Sequence, residues 1–175
     1  DLVAEQVRVA EGLPLSFCDR PPEPRGWSME ARIIAEDPAK NFMPSVGRIE
    51  RVRFPQGPGV RNDAGVYRGY DIPIYYDSLL AKLVTWGRDR DEVRRRMLRA
   101  LGEIVIDGPH HNVEFHKWLC AHPEFAAGNL STRFLEEHFQ PSMLREQRPA
   151  KMTGFFAPDS SRAAAAMSSG AGRTG

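Results

Sequence analysis

Cysteine is nearly absent from this sequence, neither charge is in excess, and no apolar run is long enough to cross a bilayer. Each shortage excludes something. Cys18 and Cys120 have no metal-ligand spacing and make no disulfide framework, which fits a reducing cytosol and makes a cytoplasmic location the expectation. Lys and Arg number 24 against 23 Asp and Glu, so a net charge of +1 gives no global attraction to nucleic acid or membrane. Neither is expected as a partner. The sequence lacks a phosphate-cradling glycine loop and any recognisable Ser/His/Asp pattern. An initial methionine is missing too. Asp1-Leu2-Val3 opens inside a helical pattern, and an upstream segment is expected.

What is present suffices for one domain. The chain has 175 residues, 41% of them hydrophobic, so a sizeable core can form. The domain is expected over 1–139. From 140 to 175 prolines recur without a periodic apolar face, and the end is rich in Ala, Ser and Gly. That segment reads as a linker or disordered tail.

The organising stretch runs from Trp27 to Pro38. It reads as a strand stopped at Asp37-Pro38, because proline removes a donor and restricts the residue before it. Alternation puts Met29, Ala31, Ile33 and Ala35 on one apolar face. Glu30, Arg32, Ile34 and Glu36 share the other.

Around it, apolar residues from Leu2 to Ala10 repeat at helical spacing, and Gly12 is placed to end that helix. A proline-rich surface loop occupies 19–26. Residues 46–54 alternate as one antiparallel strand, and 55–59 form a turn. Two short strands, 60–65 and 66–69, flank a turn at Asp63-Ala64-Gly65, and Ile72-Pro73-Ile74 suits a sheet edge. Residues 78–87 are long enough for a helix, but Val84, Thr85, Trp86 and Gly87 favour a buried strand. The clearest helix spans 89–104, capped by Asp89, with Val93, Met97, Leu98, Leu101 and Ile104 on one side. A short strand at 105–107 and a helix at 112–122 follow, the helix capped by Asn112. A turn or short helix covers 123–128, and a last helix through 134–139 is capped by Ser131. The fold class is α+β, an antiparallel, barrel-like sheet with packed helices.

Most chemistry-bearing residues have plain explanations. His110-His111 reads as a surface turn, since zinc needs three or four ligands, and no metal site is expected. His116 and His122 lie too far apart on their helix to face one site and read as surface residues. Arg94, Arg95 and Arg96 read as a solvated face, because no aromatics interleave with them for nucleic-acid binding. Arg32 differs in kind. It is a permanent cation with a rigid fork of five donors, flanked by apolar neighbours in mid-strand. Glu30 and Glu36 are placed to hold it. It is either a salt-bridged arginine on an exposed strand face or the floor of a site for an oxyanion.

The ordered motifs Asp1-Leu2-Val3, Glu5-Gln6, Met29 to Pro38, Asn41 to Ser45, Gly59 to Asp63, Tyr75 to Leu83, Asp107-Gly108, Asn112 and Phe134-Leu135 resemble the C-terminal domain of biotin carboxylase. The resemblance covers about residues 1–139. It implies an enzyme in which ATP and bicarbonate give carboxyphosphate, and biotin is carboxylated within an acyl-CoA carboxylase of fatty acid metabolism. Arg32 matches the catalytic arginine, which stabilises the enolate-like oxygen of deprotonated biotin. Glu30 lies on the same face. Asp77 matches a position near the site and the dimer contact, or is a turn or capping aspartate. Arg61 matches a dimerisation region, or sits at a plain hairpin tip. Thr132 and Arg133 match a segment near the adenine of ATP, or cap a helix.

The resemblance also has departures. The glycine-rich phosphate loop, nucleotide lysines, metal-binding glutamates and bicarbonate-binding residues find no match here, so the ATP-grasp domain is expected outside this chain and the isolated segment is expected to be inactive. Trp27 stands where many members have histidine, which looks more like propionyl-CoA-type subunits. Lys151-Met152 is only half of a biotin-attachment motif, so biotin is expected on a carrier domain elsewhere. The implied cofactors are biotin, ATP and Mg²⁺. The implied partners are the ATP-grasp half, the biotin carboxyl carrier domain, a carboxyltransferase subunit and a second copy of the chain. The competing reading is a non-catalytic module that keeps the fold for assembly or dimerisation.

Overall fold

The computed structural model describes residues 1–17, 20, 22–75 and 77–145. Expectations for Cys18, Tyr76 and the chain after 145 lie outside the described residues.

Helix α1 (Leu2–Ala10) starts at Asp1, whose carboxylate accepts from the Val3 and Ala4 amides, and it buries none of its residues. Strand β1 (Trp27–Ile34) follows the proline-rich loop. Then come β2 (Glu36–Asp37), a 3₁₀ turn (Pro38–Lys40), β3 (Met43–Pro44), β4 (Gly47–Arg48), β5 (Arg51–Arg53), β6 (Val60–Ala64) and β7 (Asp71–Ile72). The long strand β8 (Leu79–Gly87) leads to α2 (Arg90–Glu103), β9 (Val105–Asp107), α3 (Val113–Ala121), α4 (Pro123–Ala127), α5 (Phe134–His138) and α6 (Ser142–Arg145).

The main sheet is antiparallel, ordered β1-β8-β6, and three two-stranded pairs surround it: β2 with β3, β4 with β7 and β5 with β9. The α+β class is therefore observed, but the sheets among the described residues do not close into a barrel. The apolar face of β1 works as its alternation requires: Ala31, Ile33 and Ala35 are buried, and the first two face Leu83 and Ala81 of β8. Helix α2 covers this side through Val93, Met97, Ala100 and Leu101. Asp89 caps it, accepting from the Glu92 amide at 2.8 Å. A second, aromatic cluster of Phe115, Trp118 and Phe134, with Phe42 and Phe139, fills the space between α3 and α5. Phe42 has φ 57°, a left-handed conformation costly for a bulky residue, and its ring packs edge-on to Phe115 at 5.0 Å.

Several local expectations are corrected. The strand over 46–54 is two strands, because the chain changes partner at Ile49 and Glu50. The Ile49 amide donates to Tyr70 O, and the Glu50 amide donates to Asp107 O. Residues 66–69 form no strand; the chain turns at 68 and 69, where the Tyr70 amide donates to Tyr67 O at 3.1 Å. The buried strand favoured over 78–87, where length alone also permitted a helix, is observed as the central strand β8. Helix α6 lies past residue 139, and its Leu144 is buried in the aromatic cluster.

The arginines of α2 are not simply a solvated face. Arg94 donates to Cys120 O at 3.1 Å, Arg96 donates to Trp86 O, and Arg90 donates to Phe125 O and Ala126 O. Their guanidiniums tie α2 to β8 and to the helices behind it.

Candidate functional site

The second face of the main sheet carries the charged residues. Pairing places them in rows across it. Arg32 of β1 lies opposite Lys82 of β8, which lies opposite Asp63 of β6. Glu30 lies opposite Val84, which lies opposite Arg61. Glu30 and Arg61 are thus two strands apart, about 10 Å at the usual strand spacing. This face lies on the opposite side of the sheet from the apolar residues under α2, and Glu30, Arg32, Arg61 and Asp63 are all exposed.

Arg32 projects from the middle of β1 with its side chain 49% exposed. Its carboxylate partner is Asp77, in the loop before β8, at 3.9 Å. That is an ion pair too long for a hydrogen bond, and between exposed groups it holds the arginine only weakly. Asp77 also accepts from the Leu79 amide at 3.1 Å, so it starts β8 and faces Arg32 at once.

Glu30 and Glu36 were expected to hold Arg32, and neither makes an ion pair with it among the described residues. β1 ends at Ile34, and the register with β8 shifts between Ile33 and Ile34. Glu36 therefore starts a different strand and its Oε1 accepts from Asn112 Nδ2 at 2.9 Å. Burial raises the Glu36 carboxyl above its usual range, and the Asn112 bond only partly opposes that.

Two residues of α3 reach Arg32 that sequence reasoning assigned elsewhere. Asn112 occupies the cap position of α3 but makes no cap bond with its side chain. Its Nδ2 donates to Arg32 O at 3.1 Å, and its Oδ1 accepts from the Ile34 amide at 3.0 Å. His116, read as a surface residue, is half-buried with Nε2 3.0 Å from the same Arg32 carbonyl. A carbonyl only accepts, so Nε2 carries the proton. Burial lowers the His116 pKa, and this bond partly offsets the shift. His122 instead packs among Trp118, Phe134 and His138. No signal in the sequence distinguishes a capping Asn from this one, because the contact closes a loop of 80 residues.

The remaining candidates stay apart from Arg32. Arg61 pairs with Asp63 at 3.2 Å on exposed β6. Arg133 donates to Glu137 at 2.5 Å, and its amide donates to Ser131 Oγ at 3.2 Å. Thr132 and Arg133 are both exposed, beside the aromatic cluster, and no described bond joins them to Arg32. His110 and His111 line a hollow of about 260 Å³ with Asp37, Pro109 and Glu114, and Arg32 is not part of it. Among the described residues no group of three or more His, Cys, Asp or Glu is placed to hold a metal. Arg32 thus stands on an open sheet face, backbone fixed and guanidinium loosely paired.

The family model for the biotin carboxylase C-terminal domain matches residues 30–137. "Biotin carboxylase 1" of Bacillus subtilis is 49% identical over 138 residues, which are 79% of this chain and 31% of that protein. The human mitochondrial propionyl-CoA carboxylase alpha chain is 43% identical over 139 residues, 78% of this chain and 19% of that protein. Among solved structures, the biotin carboxylase domain dimer of Hydrogenobacter thermophilus 2-oxoglutarate carboxylase, in complex with MgADP, ADP and bicarbonate, superposes with a TM-score of 0.77. It is 37% identical, covering 86% of this chain and 32% of that one. This chain spans a third or less of these relatives.

Proposed function

This chain belongs to the biotin carboxylase C-terminal domain family, and from that premise we propose that it is the part of a longer biotin carboxylase that presents Arg32 to biotin. The observation that carries the reading is the contrast within Arg32 itself. Its backbone is fixed by β8 on one side and by Asn112 and His116 on the other, while its side chain is half-exposed and paired only at 3.9 Å. A guanidinium that projects from a fixed backbone and is not consumed by a structural partner suits charge that develops during a reaction.

The residues fit biotin. When bound, biotin supplies a ureido nitrogen that takes up the carboxyl group. Arg32 offers parallel donors to the ureido oxygen and favours the state in which negative charge gathers there. Asp77 faces the fork at 3.9 Å without engaging its donors, and Lys82, the cross-strand neighbour of Arg32, adds positive charge to the same row. Glu30 borders that row on β1.

ATP and Mg²⁺ are assigned to an ATP-grasp domain outside this chain, because this chain matches the C-terminal domain family and spans a third or less of its relatives. Thr132 and Arg133 would lie at the edge of the nucleotide site. The isolated chain is inactive on this reading. Arg61 and Asp63 serve contact with a second copy, and a biotin carboxyl carrier domain delivers biotin for a carboxyltransferase subunit to use. The compartment is the cytoplasm.

In the full-length enzyme, Arg32→Ala is expected to lower biotin carboxylation about a hundredfold while ATP binding stays near wild type. An unchanged carboxylation rate removes Arg32 from the reaction. Equal loss of ATP binding assigns it to assembly instead.

A further inference from the structure

β1 is an edge strand. β8 covers one side of it, and no strand among the described residues covers the other. Backbone groups two residues apart point to the same edge, so the N–H and C=O of both Arg32 and Ile34 face the open side. Three of these four, Arg32 C=O and both groups of Ile34, are satisfied by Asn112 at the start of α3. The side-chain amide of Asn112 donates from Nδ2 to Arg32 O at 3.1 Å and accepts at Oδ1 from Ile34 N at 3.0 Å. The Asn112 backbone amide donates to Ile34 O at 3.2 Å. His116 Nε2 adds a second donor to Arg32 O at 3.0 Å. A carboxamide offers C=O and N–H side by side, as a single strand residue does on a strand's edge. Asn112 therefore does the work of one rung of a neighbouring strand.

The placement of this rung is specific. The register of β1 with β8 breaks between Ile33 and Ile34, so β8 alone does not hold the end of the strand. The second Nδ2 hydrogen of Asn112 goes to Glu36 Oε1 at 2.9 Å, which ties the chain past the break to the same amide. Asn112 is only 3% exposed, so water cannot readily replace these bonds.

We infer that Asn112, helped by His116, is a positioning residue for Arg32: it locks the strand backbone from which the guanidinium projects. The inference rests on the proposed role of Arg32 and deepens it. A displacement of about 1 Å at a reacting centre can cost on the order of a hundredfold in rate. Loosening this rung should therefore slow carboxylation without touching the nucleotide.

The test is a double-mutant cycle in the full-length enzyme, reading kcat for biotin carboxylation and KM for ATP. Asn112→Ala should lower kcat by about tenfold or more and leave KM for ATP unchanged. In the Arg32→Ala background the same change should have no further effect, because the residue acts through Arg32. His116→Leu removes one donor and should slow kcat severalfold, while His116→Gln keeps a donor and should restore the rate. If Asn112→Ala does not fold, the His116 pair carries the test alone. The inference is overturned if His116→Leu and any folded Asn112→Ala keep wild-type kcat while Arg32→Ala is slow, or if the losses multiply in the double variant. Should Arg32→Ala itself be unimpaired, the functional reading fails, and the positioning role fails with it.

Discussion

Ile33 and Arg32 are neighbours on one strand and should respond to truncation to very different degrees. Ile33 has no exposed surface and sits opposite Ala81, in a core with Leu83, Met97 and Leu101, each also fully buried. Such a close-packed site cannot collapse readily around a smaller side chain. Ile33→Ala should therefore cost about 2–5 kcal/mol. Taking about 3 kcal/mol, and about 2–4 °C per kcal/mol for a chain of this size, the melting temperature should fall by about 6–12 °C. Arg32 has a side chain 49% exposed and a single ion pair at 3.9 Å, so Arg32→Ala should cost less than about 1 kcal/mol and shift melting by no more than about 2–4 °C. The assay is thermal unfolding of the two variants and the parent by circular dichroism. If Arg32→Ala melts as early as Ile33→Ala, Arg32 holds the fold together. The argument that its guanidinium is free for a ligand then collapses.

Two further outcomes follow from the buried groups. Burial raises the Glu36 carboxyl, so its folded pKa lies above the unfolded one. Its favourable contribution is full below the unfolded value and is lost as pH rises through the folded value. Glu36→Gln removes that charge and keeps the Oε1 acceptor for Asn112. The variant should melt higher than wild type at pH 7, with the difference vanishing below about pH 4; a difference that grows on acidification contradicts this. Burial pushes the Cys120 thiol up to about 11, so at pH 8 iodoacetamide should leave it unlabelled in the native protein and label it in urea. Native labelling at the denatured rate, read from the mass of the Cys120 peptide, would show that α3 does not pack as described.

Local pattern carried a good part of this fold. The alternation from Trp27 to Pro38 separated a core face from a charged face, and both are observed. Asp89 and the apolar period after it predicted α2 to within a residue or two. What failed depended on partners far away in sequence. One alternating run at 46–54 could not reveal that its two halves pair with β7 and β9, because that exchange depends on Tyr70 and Asp107. Arg32 was legible as unusual, since an arginine amid apolar neighbours breaks the strand pattern. Its company was not. Glu30 and Glu36 were nearest in sequence, yet the register break after Ile33 turned Glu36 away, and Asp77 approaches from a loop 45 residues on. Asn112 showed a familiar cap signature and uses its amide for β1 instead, a choice only tertiary geometry reveals.

The most direct measurement is the rate of biotin carboxylation by the full-length enzyme carrying Arg32→Ala, with and without added guanidinium. Arg32 lies on an open face, so a free guanidinium ion can reach the space its side chain leaves. The predicted result is a loss of about a hundredfold that guanidinium partly restores, with ATP binding unaltered. A variant that carboxylates biotin at the wild-type rate would contradict the central claim.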